Sequence, residues 1–322
     1  MSATTTADPA SPEDPGADLK AKRVHIDAYG IDVGPIGHLA AERRRLEALE
    51  WEHFTARRRG ATIGADIEGI DLTGPLSDEA IAEIRAALLA YKVIFFAGQP
   101  FTPAQHVAFA QRFGELEIHP FIPANTDQPE LVRFEKGADV GGYENGWHSD
   151  VSWRLVPSLG AVLHAVEVPA TGGDTLFCDM GAAYDGLDDA TKAQIDGLIA
   201  VHDFGFVFGR GLAPDKREEM RQAYPPAEHP VVRTHPETGR KLLYVNRFFT
   251  HHIVGLSPED SHALLDRLCR TADTIEYQCR FQWSPHAVAF WDNRAVQHYA
   301  CSDYWPSIRI MERASIVGDR PS

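Results

Sequence analysis

From about residue 130 onward, apolar and polar positions come in short runs: ELVRFEK, AVLHAVEVP, DTLFCDM, HPVVRTHP, KLLYVN, AVAFWDN and IRIMERASI. Runs of this length, alternating or continuously apolar and bounded by turn residues, predict strands. Two helical stretches interrupt them, DDATKAQIDGLIAVHDF and SPEDSHALLDRLCRTA, the second with Ser257 as cap and Pro258 at its first position. Earlier in the chain, Ser77 caps a helix that places Asp78 and Glu79 at its positive end and repeats Ile81, Ile84, Leu88 and Tyr91 at helical spacing. KVIFFAG reads as a buried strand, and Thr102-Pro103 opens another helix through about Phe113. TIGADIEGIDL reads as two short strand segments separated by glycine. Many short strands with helices outside them predict a mainly β protein with flanking helices (α+β), as a β-sandwich or jelly roll.

The N-terminal region has a different texture. Residues 37–59 (GHLAAERRRLEALEWEHFTARRR) carry Leu39, Leu46, Leu49 and Trp51 among many charges. They read as a helix, either packed on the body or serving as a dimerisation or lid element. Residues 1–20 have little to bury and read as a disordered tail. The expected organisation is therefore a tail over 1–20, a helical extension over 21–60 and one domain over 61–322.

Composition narrows the function classes. A formal net charge of −15 disfavours nucleic acid and anionic membranes as partners. No apolar stretch approaches a membrane span, and the acidic N-terminus lacks the form of a secretory signal. Cys178, Cys269, Cys279 and Cys301 form no CxxC pair and read as reduced thiols of a cytoplasmic protein.

One stretch carries chemistry: Asn145-Gly-Trp-His148-Ser-Asp150-Val-Ser-Trp153. In a strand, His148 and Asp150 would point to one face and meet at one point. An imidazole and a carboxylate supply two thirds of a facial triad that leaves positions open for a co-substrate and O2. An isolated HxD is common by chance. A second cluster, Trp291-Asp-Asn-Arg294-Ala-Val-Gln-His298-Tyr299, could return a third ligand, and IRIMER places Arg309 and Arg313 on one side of a strand. Two buried arginines need anions, either bound ones or structural ion-pair partners. Other polar groups have structural readings. His251-His252 fit a loop or pocket rim, His229 and His235 a structural role, and Asp292 with Asn293 the turn before His298. Gly172-Gly173 lacks the following helix start of a phosphate loop.

WHSDVSW, TGGDTLF, HPVVRTHPETG, WDNRAVQHYACSDY and RIMERASIVGD follow one another in a familiar order and spacing. From about Ala61 to Asp319 the chain resembles the taurine dioxygenase/TfdA family of Fe(II)- and 2-oxoglutarate-dependent dioxygenases. The resemblance implies a double-stranded β-helix, that is, a jelly roll. It implies His148, Asp150 and His298 as iron ligands, with O2 as oxidant. Arg309, eleven residues beyond His298, and Thr175 match the residues that hold the far carboxylate of 2-oxoglutarate. Arg313, His119 and the Val151 N–H match the grip on the substrate's sulfonate in taurine dioxygenase, and Phe208 and Phe249 match aromatic walls. A homo-oligomer, dimer or tetramer, is also implied.

Three positions depart from taurine dioxygenase. Ile122 replaces a tyrosine, Val207 replaces a serine, and Glu144 (or, with a loop shift, Asn145) stands at an asparagine. They surround the amine end of taurine, so the anion grip is kept while the amine end turns more apolar and, with Glu144, acidic. The expected substrate is a small anion, a sulfonate or sulfate ester. A carboxylate handled by the same mechanism, as in aryloxyacid breakdown, is the alternative, and a non-catalytic metal-binding module is the reading from another class.

Overall fold

The computed structural model describes residues 24–26 and 31–322, apart from 123, 126 and 143. The expected disordered tail lies outside them. Ten strands build the two sheets that position the site: β1 (Thr55–Arg58), β2 (Ala65–Glu68), β3 (Val93–Phe96), β4 (Leu131–Lys136), β5 (Ser158–Glu167), β6 (Thr175–Asp179), β7 (Gln278–Phe281), β8 (Val288–Asp292), β9 (Val296–Ala300) and β10 (Arg309–Val317). A seven-stranded sheet runs β1-β2-β3-β8-β5-β10-β4, and a three-stranded sheet runs β7-β6-β9. Neighbours pair antiparallel except β2 with β3.

Because successive side chains in a strand leave opposite faces, the large sheet serves two cores. Val93 and Phe95 of β3 and Ala289 and Trp291 of β8 pack toward the small sheet, where Phe177 and Phe281 meet them. Phe95 lies flat on Phe281, with ring centroids 4.1 Å apart. Ile94, Phe96, Val288 and Phe290 face the other way, against helices. Continuous apolar runs such as VIFF are thus strands buried on both sides.

Those helices start where side chains cap them. In α2 (Asp78–Tyr91), Ser77 Oγ accepts the Ala80 N–H at 3.1 Å. In α3 (Pro103–Gln111), Thr102 and Gln105 form a capping box. The preceding helix, α1 (Leu39–Glu47), is tied to the body by the buried Lys92 ammonium, 2.8 Å from Glu42 and 3.3 Å from Asp179.

The structure corrects three sequence expectations. The helix expected over 37–59 ends at Glu47, and Thr55–Arg58 instead forms the edge strand β1. An arginine-rich run has no apolar period to mark it as a strand; pairing with β2, reinforced by Arg57 and Arg59 on Asp66, decides its state. The helix expected over DDATKAQIDGLIAVHDF covers only Asp189–Ile195; Gly197 then turns at φ +70° into the strand Ile199–His202. In TIGADIEGIDL only Ala65–Glu68 is a strand. Strands β7, β9 and Thr250–Ile253, and helices Met180–Asp185 and Pro214–Ala223, were not foreseen. Among the described residues, no helix is long and apolar enough to cross a membrane.

The fold buries several histidines in neutral form. Burial holds His106 at about 3 and His229 at about 4, and pushes His202 far below the ordinary 6.5. Their neutral rings are compatible with folding at pH 7. Once pH falls below about 6.5, the unfolded chain takes up protons that the folded chain refuses. Stability should therefore drop as pH falls from about 6.5 toward 4, by up to ~1.4 kcal/mol per pH unit for each such ring. Urea midpoints at pH 7 and pH 5 measure this; an unchanged midpoint would show that the rings are not held neutral.

Candidate active site

His148 and His298 are joined by a pair of backbone hydrogen bonds. The His148 N–H donates to the His298 carbonyl at 3.1 Å, and the His298 N–H returns to the His148 carbonyl at 2.8 Å. This is an isolated antiparallel bridge, and directly opposed residues in such a pair project to one face. Their ring centroids lie 4.2 Å apart. Asp150 reaches the same point differently from the strand geometry expected of HxD. The chain leaves the bridge at a turn in which Val151 adopts φ +45°, a conformation β-branched residues rarely take. Asn293 holds that turn: its side-chain oxygen accepts the Asp150 N–H at 2.7 Å, and its amide donates to the Asp150 carbonyl at 2.9 Å and to that of Ser158 at 3.2 Å.

One ligand atom each from His148, Asp150 and His298 falls within 4.8 Å of the others. Nε2 of His148 is 4.0 Å and Nε2 of His298 is 3.9 Å from the Asp150 carboxylate. The His148 Nδ1–H donates to the Gly146 carbonyl at 2.7 Å, which leaves its Nε2 lone pair free. Burial, and next His148, push His298 down to about 3. Burial would raise Asp150, but Arg313, His298 and His148 together outweigh it and hold the carboxyl at about 2. At pH 7 the group is thus two neutral imidazoles and a carboxylate, the donor set a divalent iron accepts. Phe248 stacks on His148 at 4.8 Å, and its ring fills the space a side chain at Gly146 would need.

All the sequence-predicted site residues line one cavity of about 620 Å3 beside this triad. Arg309 and Arg313 project into it from the inner face of β10. Arg309 is buried, and among the described residues no carboxylate pairs with it. The rings of Trp283 and Tyr304 lie 5.9 and 5.8 Å from its guanidinium, and its Nε has no acceptor. Gly173, at φ +71°, packs closely on Arg309: a Cβ there would lie 3.1 Å from its side chain. Thr175 Oγ1 accepts the Trp283 indole N–H at 3.0 Å, so its own proton is available to an anion.

Arg313 departs from the expectation of a cation waiting for a ligand: its Nη1 already bonds both Asp150 oxygens at 2.9 Å, while its Nε stays without an acceptor. His119 Nδ1 accepts the N–H groups of Phe121 (3.2 Å) and Ile122 (3.1 Å), which places the ring proton on Nε2. Burial, then Arg313 and Arg154, hold that ring at about 3, a neutral donor. Phe208 stacks on Phe121 at 5.0 Å, and Phe249 is buried beside His148. Ile122, Val207 and Glu144 all line the cavity; Asn145 is exposed and does not. Lys136 lies 3.4 Å from Glu144.

The sequence reading missed Trp283, which stands near no motif, and Phe248, the neighbour of the wall residue Phe249. It assigned Asn293 only to the turn before His298. Asp292 is locked by Arg294 (2.7 Å) and His235 (3.0 Å), and His229 bonds the Ser152 and Arg154 carbonyls, which are structural roles. His251 and His252 stand exposed on the strand Thr250–Ile253.

Asn293→Ala frees the Asp150 backbone without touching a ligand atom. Affinity for Mn2+ should fall roughly 10- to 100-fold with far-UV circular dichroism unchanged. Unaltered affinity, measured by calorimetry, would remove Asn293 from the support of the site.

The family model "Taurine catabolism dioxygenase TauD, TfdA family" matches residues 55–315. The "Alpha-ketoglutarate-dependent sulfate ester dioxygenase" of Pseudomonas putida is 36% identical over 80% of this chain and 88% of its own. The "(S)-phenoxypropionate/alpha-ketoglutarate-dioxygenase" of Sphingobium herbicidovorans is 34% identical over 81% of this chain and 94% of its own. Among solved structures, AAD-2 in complex with Mn(II) and N-oxalylglycine superposes with a TM-score of 0.73 at 32% identity, covering 84% of this chain and 99% of that one. Similarity of this extent leaves no place for the non-catalytic metal-binding module: the chain belongs to the taurine catabolism dioxygenase TauD, TfdA family and is an Fe(II)- and 2-oxoglutarate-dependent dioxygenase that uses O2.

Proposed function

We propose that this dioxygenase oxidises an aliphatic sulfate ester or sulfonate at the carbon next to the anionic head. One observation carries the reading. A single cavity sets hydrogen-bond donors for an anion beside the triad and lines the remainder with apolar groups. The donors are Arg313, the His119 Nε2–H and the Val151 N–H, which has no acceptor among the described residues. The apolar lining includes Ile122, Val207, Phe208 and Phe249. Similarity to the P. putida sulfate ester dioxygenase supports it.

In this reading His148, Asp150 and His298 hold Fe(II). Arg309 and the Thr175 hydroxyl hold the far carboxylate of 2-oxoglutarate, and that anion satisfies the otherwise uncompensated guanidinium. Iron with 2-oxoglutarate supplies the oxidising power, and the co-substrate leaves as succinate and CO2. Arg313 has two tasks. One nitrogen orients the Asp150 carboxylate, and the rest of the fork, with His119, holds the substrate's head. The aromatic and aliphatic walls keep water out and aim the adjacent C–H at the triad. A hydroxyl placed on the carbon that bears a sulfate lets the C–O bond break. Sulfate leaves, the hydroxyl loses its proton and an aldehyde remains. From a sulfonate the corresponding C–S cleavage gives sulfite.

A carboxylate substrate is the second reading. The aromatic wall of Phe208, Phe248 and Phe249 could stack an aryl ring, and the S. herbicidovorans relative acts on (S)-phenoxypropionate. We also read the two facing sheets as a double-stranded β-helix. The enzyme is taken to be cytoplasmic, which four free thiols support, and to form a dimer or tetramer.

A panel of alkyl sulfates, sulfonates and carboxylates, read by succinate formation with sulfate and sulfite scored separately, tests the substrate. A medium-chain alkyl sulfate should surpass taurine by roughly 10-fold or more in kcat/KM, since each buried methylene adds ~0.8 kcal/mol. Taurine turnover equal to the best sulfate would overturn the reading of Ile122 and Val207, and preference for an aryloxy acid would establish the carboxylate reading. Trp283→Phe releases the Thr175 hydroxyl from its donor. The KM for 2-oxoglutarate should rise about fivefold, the equivalent of one hydrogen bond of ~1 kcal/mol, with substrate KM little changed. Equal changes in both would deny Thr175 its place on the co-substrate.

A further inference from the structure

The large sheet carries a second group of two histidines and a carboxylate on the face turned away from the cavity. His164 on β5 and Glu312 on β10 are cross-strand partners, and α3 lays His106 over them. His106, His164 and Glu312 are 0%, 3% and 5% exposed. One ligand atom from each lies within 4.8 Å of the other two. Stacking fixes both rings: Phe101 lies flat on His106 at 5.4 Å, and His286 on His164 at 5.7 Å.

The hydrogen bonds identify the atoms left over. His106 Nε2–H donates to the Val162 carbonyl at 2.9 Å, so Nδ1 carries the lone pair, and it has no partner. His164 Nε2 is a second buried ring nitrogen without a partner. Glu312 Oε1 receives Asn125 and Arg133 at 3.0 Å each, which leaves its other oxygen. Buried polar atoms left without a partner are costly, and a cation held by these three residues would satisfy them.

We propose that His106, His164 and Glu312 bind a divalent transition cation of the zinc type, with no part in turnover, that fastens α3 to the outer face of the sheet. Two imidazoles and one carboxylate suit Zn2+, with a water completing a tetrahedron. Arg133 offsets part of the carboxylate's charge, so the site is weaker than a fully acidic one. The inference does not depend on the substrate reading, and the sheet separates this group from the catalytic triad.

The test uses the full-length chain carrying Asp150→Ala, which disables the catalytic triad. The protein is stripped with chelator, incubated with Zn2+ and desalted, and its metal is counted by mass spectrometry. About one zinc per chain should remain, with Tm raised by about 5 °C at saturating Zn2+. Adding Glu312→Gln or, independently, His106→Phe should abolish both effects. Two variants are used so that a folding failure of one, seen by circular dichroism, leaves the other. Absence of retained zinc in Asp150→Ala would overturn the proposal and assign the cleft to a bridging water. Zinc retained equally after Glu312→Gln or His106→Phe would also overturn it, placing the metal elsewhere, such as the exposed His251-His252 pair.

Discussion

Two backbone hydrogen bonds between His148 and His298 carry the rest of the site. They join a loop before β5 to strand β9, segments 150 positions apart (298 − 148), and oblige both imidazoles to leave on the same side. The remaining pieces adjust to that bridge. Asn293 ties the Asp150 turn to it, Gly146 makes room for the ring that covers His148, and Arg313 steers the carboxylate that completes the triad. The left-handed Val151 backbone is strain placed where the carboxylate must turn inward.

The alternation of β10 explains how one strand contributes to two environments. Arg309, Met311 and Arg313 face the cavity, whereas Ile310, Glu312 and Ala314 leave the other face. Guanidiniums there are held in place before any ligand arrives. Arg309 lies beside two aromatic rings with no carboxylate paired to it among the described residues, and Arg313 stands on Asp150. An anionic co-substrate thus meets a preformed field, while the protein as a whole is strongly acidic. Global charge excludes classes of partner; local burial sets which small anions are welcome.

The substrate end shows how apolar replacement changes a pocket without altering its chemistry. Ile122 and Val207 offer no hydrogen bond to an amine, and Glu144 has Lys136 beside it. In the proposed reading, donors define the head group of the substrate, and shape and apolar area define its tail.

The triad, the arginine pair and the threonine were legible in the sequence because each sits in a short string whose residue types have few other uses. The strongly apolar strands β3, β5 and β8 were legible because burial on both faces leaves an unmistakable run. Edge strand β1, strands β7 and β9, and the true length of α1 were not, since charged or mixed segments take their state from the partner they pair with. Trp283, Phe248 and the Asn293 clamp come from segments remote in the chain from what they support. The identities of the groups proposed to bind metal and anions were thus legible in the sequence. Their tautomers, their mutual distances, the Arg313–Asp150 contact and the pairing of His106 with His164 and Glu312 were decided only by the tertiary structure, because each depends on which distant backbone is brought alongside.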